Sequence, residues 1–275
     1  MSQTIQRWLT LLCLLTASQV FAQPTLVIII DDVGNNGPLG ERAVKLPGPV
    51  TLAFLPHTPH AARLARKAAD ANKGIMLHAP MANATGAALG PGALTEDMSP
   101  EELQQTIRDS INAIPFVQGV NNHMGSRLTA NQTAMSAIMP VIQQHDLFFI
   151  DSLTNPASVA QSEARSLGIA TDRRDVFLDN DRSLEGLFQQ FERAINIAER
   201  TGSVILIGHP YPETLDFLET VLPPLIANDN IRLIPADEHL QNNAWLTKEN
   251  ATPYPVSRLQ MQLILPSSDM KKAKH

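Results

Sequence analysis

Short runs of apolar residues, rich in β-branched side chains, recur along the chain at Leu26–Ile30, Val50–Leu55, Gly74–Leu77, Phe116–Val120, Leu147–Ile150, Val176–Leu178, Val204–Ile207 and Ile231–Ile234. The runs are continuous rather than alternating, which is the pattern of strands buried on both faces. Segments with helical period lie between most of them. In "SPEELQQTIRDSINAI", Ser99 stands three residues before Glu102 and ahead of Leu103, Ile107 and Ile111, a capping box opening an amphipathic helix. "SLEGLFQQFERAINIAER" sets Leu184, Leu187, Phe188, Phe191 and Ile195 on one stripe and runs out near Gly202. Strand and helix alternate, so the expected architecture is a parallel sheet covered by helices, either doubly wound or closed as a (β/α) barrel.

The ends of the chain break this pattern. "WLTLLCLLTASQV" is apolar but too short to span a bilayer, comes after Arg7, and leads to Val20-Phe21-Ala22 ahead of Gln23. Residues 1–22 read as a secretory signal peptide cut after Ala22, which predicts an exported, periplasmic or secreted protein. Residues 23–247 form the expected domain. The segment 248–275, ending "SSDMKKAKH", loses the periodicity and reads as a flexible tail.

Composition narrows the chemistry. The 275 residues are 44% hydrophobic and carry a net charge of −6, with no basic stripe, which argues against a nucleic-acid surface. Cys13, inside the leader, is the sole cysteine. A mature chain without it has no disulfide and no thiolate, so a metal site must be built from histidine and carboxylate.

The polar residues at the C-terminal end of each apolar run are the informative feature. Asp31 and Asp32 stand after the first, His78 after the third, Asn121, Asn122, His123 and Arg127 after the fourth, Asp151 after the fifth, and His209 after the seventh. In a parallel sheet or barrel these strand ends share one rim, so ionisable groups from distant segments meet at a single mouth. Adjacent carboxylates are tolerable there if one binds a cation and the other takes a proton or hydrogen bond. Asp179, in "FLDND", reads as a capped turn instead. "HTPH", His57 to His60, has the wrong spacing for a convincing metal pair. No G-x-S-x-G elbow, phosphate-cradling loop or H-E-x-x-H helix is present.

The strings "IIIDDVG", "LHAPM", "NNHMGSR", "FIDS" and "IGHPYP", in that order, resemble the divergent polysaccharide deacetylase family, a distant branch of the NodB-like polysaccharide deacetylases. The resemblance runs from about Thr25 to Trp245. It implies a distorted, incomplete (β/α)7-type barrel, the NodB-like deacetylase fold, with its site on the C-terminal rim. Carried over by motif, it makes Asp31 the general base, Asp32 and His78 metal ligands, His209 the general acid, and Asp151 the acidic residue that orients the catalytic pair.

The better-known deacetylases carry a second histidine four residues after the first, where this chain has Ala82. We expect His123 to fill that gap, giving an Asp32–His78–His123 triad for a divalent metal, Zn2+ first among the candidates. Asn122, Arg127 and Tyr211 flank the motifs and are the expected substrate contacts, with backbone N–H groups near Gly125 helping to hold an oxyanion. The reaction implied is removal of N-acetyl groups from an envelope or exported polysaccharide such as peptidoglycan. Two other classes stay open: a metal hydrolase of another bond, and a catalytically silent glycan-binding or partner-binding protein of the envelope.

Overall fold

The computed structural model describes residues 23–228 and 230–243. The leader, the tail and the last residues of the expected domain lie outside them. The strands are β1 (Thr25–Val33), β2 (Thr51–Phe54), β3 (Gly74–Met81), β4 (Gly119–Met124), β5 (Phe148–Asp151), β6 (Thr171–Arg173), β7 (Val176–Phe177), β8 (Ser203–Gly208) and β9 (Arg232–Leu233). The helices are α1 (Gly37–Lys45), α2 (Ala61–Asp70), α3 (Pro100–Ala113), α4 (Gln132–Gln144), α5 (Ala160–Ser166), α6 (Leu184–Thr201), α7 (Pro212–Ala227) and α8 (Ala236–Asn243). Among the described residues no helix is long and apolar enough to cross a membrane.

Local chemistry accounts for the helix ends. The Ser99 hydroxyl accepts from the Glu102 N–H while the Glu102 carboxylate accepts from the Ser99 N–H, so α3 starts on the expected capping box. Ser183 caps α6 through the Gly186 N–H, and Gly202 ends that helix at φ +88°, a left-handed conformation suited to glycine.

All strand pairings are parallel, in the order β6-β5-β4-β3-β2-β1-β8-β7. β9 shares with β2 the edge of β1 that β8 does not occupy, pairing Leu26 with Leu233. The sheet is curled into a barrel left open between β6 and β7, which is the incomplete barrel expected. Strands β1 and β4 are three spacings apart, about 14 Å along the sheet. Yet the Asn121 side chain reaches the Asp31 carboxylate at 2.8 Å, which requires that curl.

Alternate residues of the strands enter two separate apolar layers. Ile28 and Ile30, Leu77, Val120, Phe149, Val176, Leu178 and Leu206 pack outward under the helices. Val27, Ile29, Ala53, Met76, Phe148, Ile150, Ile205 and Ile207 face the barrel interior, joined there by Ala236 and Leu240 of α8. The Thr51 hydroxyl, at the start of β2, accepts the Ala236 N–H, so α8 sits at the N-terminal end of the barrel and closes its floor.

Two strands run further than their apolar runs suggest. β4 starts at Gly119 and includes Asn121, Asn122 and His123, because β3 continues to Met81 and gives each of them a ladder partner. Phe116, expected in the strand, lies before it, 62% exposed. β6 has no apolar run, and its register with Phe149–Asp151 is what makes it a strand.

Candidate active site

The inward-facing period of each strand carries past the apolar floor to the rim. Val27 and Ile29 lead to Asp31, Met76 to His78, Gly119 to Asn121 and His123, Phe177 to Asp179, and Ile205 and Ile207 to His209. Strict alternation would send Asp32 to the helix side. The β1–β2 register instead slips between Ile30 and Val33, two positions on β2 against three on β1, and Asp32 sits at φ +57°. This bulge swings Asp32 back over the mouth beside Asp31, using a left-handed conformation that aspartate tolerates better than most residues.

Asp32, His78 and His123 converge on one point. Asp32 Oδ1 lies 2.8 Å from His123 Nδ1 and 3.2 Å from His78 Nε2, and the two ring nitrogens are 3.1 Å apart. Asp32 Oδ1 is buried and takes no hydrogen bond. The His78 tautomer is set by its other nitrogen. Nδ1 donates to Asn121 Oδ1 at 2.8 Å, and the Asn121 amide in turn donates to Asp31 Oδ1 at 2.8 Å, which leaves the His78 Nε2 lone pair facing the triad.

Three electron-pair donors aimed at one another, one of them an orphaned buried oxygen, fit a divalent cation. Adjacent ligand atoms of a tetrahedral zinc site are about 3.3 Å apart, close to the spacings here. Burial alone would push the Asp32 carboxyl up, but the His123 and His78 imidazoles outweigh it and hold Asp32 well below the usual carboxylate range. Among the described residues these three form a possible metal-holding group.

Two further groups flank the triad. Asp31 is buried, and that burial raises its carboxyl above the usual range against the pull of His78 and His209. His209, on the far side, is gripped by Asp179: Oδ1 accepts from Nδ1 at 2.9 Å, Oδ2 from the His209 backbone N–H at 2.6 Å, and Thr214 donates to Oδ2 at 2.9 Å. Burial works against the imidazolium. Even so, Asp179, with Asp31 and Asp32 beyond, pushes His209 up to about 9. The Nδ1 contact leaves Nε2 as the nitrogen free to face a ligand.

Several expected residues fall elsewhere, for one reason. Asp151 shares the outward period of Phe149, and its carboxylate accepts from the Leu153 N–H and the Ser158 hydroxyl. It holds the β5–α5 loop. The carboxylate that holds the His209 ring is Asp179, expected from its sequence context to be no more than a turn former. Asn122 faces outward with Val120, accepting from the Ser152 N–H and donating to the Met124 carbonyl. Its inward neighbour Asn121 holds the site together. Arg127 is exposed and paired with Glu96 at 2.5 Å. The Gly125 N–H is spent on the Met81 carbonyl, so it is no oxyanion donor. Tyr211 does stand at the rim, its ring 5.6 Å from that of His209.

A model of the divergent polysaccharide deacetylase family matches residues 28–240. The chain is 36% identical over 214 residues to the uncharacterized protein YibQ of Escherichia coli (strain K12), covering 77% of this chain and 67% of that protein. It is 31% identical over 250 residues to an uncharacterized protein of Haemophilus influenzae (strain ATCC 51907 / DSM 11121 / KW20 / Rd), covering 90% and 86%. Among solved structures, the uncharacterized protein ATU2773 from Agrobacterium tumefaciens C58 superposes with a TM-score of 0.76 at 20% identity, over 80% of this chain and 91% of that one. That likeness shows the fold.

Proposed function

The chain belongs to the divergent polysaccharide deacetylase family, and on that premise we propose that it is a metal-dependent hydrolase removing N-acetyl groups from an envelope or exported polysaccharide. The observation that carries the reading is the convergence of Asp32, His78 and His123 between a raised carboxyl, Asp31, and a protonated imidazole, His209. The apolar leader of residues 1–22 supports a substrate outside the cytoplasm.

An acetamide resists water because its carbonyl is a weak electrophile and its amine a poor leaving group. A divalent cation held by Asp32, His78 and His123 supplies Lewis acidity toward the carbonyl and brings water toward neutral pKa. Asp31 accepts the proton that the attacking water loses as the C–O bond forms, and its raised carboxyl is suited to hold it. Asn121 fixes that carboxylate and the His78 ring through one amide, so base and ligand are set by the same side chain. His209 delivers a proton from Nε2 to the departing nitrogen as the C–N bond breaks, with Asp179 stabilising the imidazolium beforehand. The products are acetate and a free amino sugar.

The test is acetate release from N-acetylated oligosaccharides by the purified chain, with zinc and after chelation. Release that needs metal and is lost in Asp31→Asn supports the reading. A metal-loaded, folded protein that frees no acetate from any N-acetylated glycan overturns it.

A further inference from the structure

The loop after β7 and the loop after β8 meet beside His209. Arg182, three residues past Asp179, places its guanidinium carbon 4.7 Å from the centre of the Tyr211 ring, and Tyr211 stands two residues past His209. Both side chains are exposed at the rim, the tyrosine by 36%. The neighbours of Arg182 are pinned: Asp181 accepts from the Ser183 N–H and packs on Gly186, and Ser183 caps α6.

Two other arginines near the rim are committed. Arg127 is paired with Glu96, and Arg174, 3.7 Å over the Phe177 ring, donates to the Ser152 and Leu153 carbonyls. Arg182, among the described residues, makes no ion pair. A cation left unpaired at the lip of a mouth lined by Asp31, Asp32 and Asp179, on a chain of net charge −6, is placed where an acidic ligand would otherwise be repelled.

We propose that Arg182 and Tyr211 form a subsite for a carboxylate-bearing sugar next to the sugar that carries the acetamido group. The exposed edge of the Tyr211 ring borders the sugar, while the planar guanidinium stacked on that ring takes the carboxylate through two parallel N–H bonds, an arrangement lysine cannot reproduce. The inference rests on the deacetylase reading and narrows its substrate to an acidic glycan.

The experiment measures binding by calorimetry to the full chain, with three tetrasaccharides: N-acetylglucosamine alone, alternating with glucuronic acid, and alternating with N-acetylmuramic acid. The expected result is about tenfold tighter binding of one or both acidic glycans, with a preference that shrinks at high salt. Arg182→Gln brings the acidic-to-neutral ratio to about one, and Arg182→Lys retains part of it. Which acidic glycan is favoured tells a ring carboxylate from an ether-linked one. Equal affinity for all three, or an unchanged ratio in Arg182→Gln, overturns the subsite. Acetate is measured in the same samples: its absence with every glycan sinks the deacetylase reading, while the binding ratio still decides the subsite.

Discussion

Asp179 holds His209 at two atoms at once, the ring Nδ1 at 2.9 Å and the backbone N–H at 2.6 Å. One carboxylate therefore fixes both the place and the protonation of the imidazole. His209 is raised from 6.5 to about 9, so the protonated, proton-donating form persists up to that pH and is lost above it. In Asp179→Asn the alkaline limb of the kcat/KM profile should fall toward the ordinary histidine value, and activity at pH 8 should drop about thirtyfold. A pH–rate series with NMR titration of the imidazole reads both. An alkaline limb that stays put would remove Asp179 from the proton-donating pair.

Cation binding should stabilise the fold, because the triad is assembled only in the folded chain. Zinc at a hundred times its Kd adds about 2.7 kcal/mol. In a domain of this size that raises Tm by roughly 5–10 °C. His123→Ala, which removes Nδ1 from the triangle, should abolish the rise and the bound zinc together. Differential scanning fluorimetry and elemental analysis, with and without chelator, give the two readouts.

On the proposed reading, Asn121 is the residue that couples the metal ligands to the base. Its oxygen fixes the His78 tautomer and its nitrogen the Asp31 carboxylate. Asn121→Leu keeps the volume and removes both bonds. Zinc affinity should fall about 10–100-fold, as it does when an outer-shell partner of a ligating histidine is lost. Calorimetric titration of zinc checks this, and a loss smaller than threefold would mean that His78 is oriented by packing alone.

The strands and their rim were legible because burial on both faces writes an unbroken apolar run, and the residue after each run is then conspicuous. The face a rim residue looks to is set by register, which the runs do not display. Asp151 and Asp179 show the cost. Both stand directly after an apolar run, but Asp151 keeps the outward period of Phe149 and Asp179 the inward period of Phe177. The same parity separates Asn121 from Asn122. Asp32 could not be placed by parity at all, since its direction comes from a bulge. Motif resemblance placed it with His78 and His123 where periodicity alone would have turned it away.

This parity makes its own prediction. Asp151→Ala strips the Leu153 N–H and the Ser158 hydroxyl of their acceptor in a half-buried loop. The fold should lose about 1–3 kcal/mol by urea denaturation. The pH limbs of the remaining activity should keep their positions, because Asp151 faces the helix layer. A shifted limb would return Asp151 to the catalytic pair.

The barrel floor is set by a glycine on β4. Gly119 faces inward below Asn121 and His123, and the Phe148 ring from β5 lies across it. A Cβ built on Gly119 would stand 2.2 Å from the ring edge. No residue with a side chain fits unless that ring moves, and the ring is packed with Ile150 and Met76 in the interior layer. Gly119→Ala should therefore cost about 1–3 kcal/mol by overpacking. Because the strain has a single source, Phe148→Leu should relieve much of it, so the two substitutions together cost less than their sum in a double-mutant cycle. Since Asn121 and His123 continue the same inward face, any residual shift of β4 should appear as weakened zinc binding in Gly119→Ala that Phe148→Leu restores. Strictly additive stabilities would mean that the floor yields elsewhere, and that the triad does not depend on this contact.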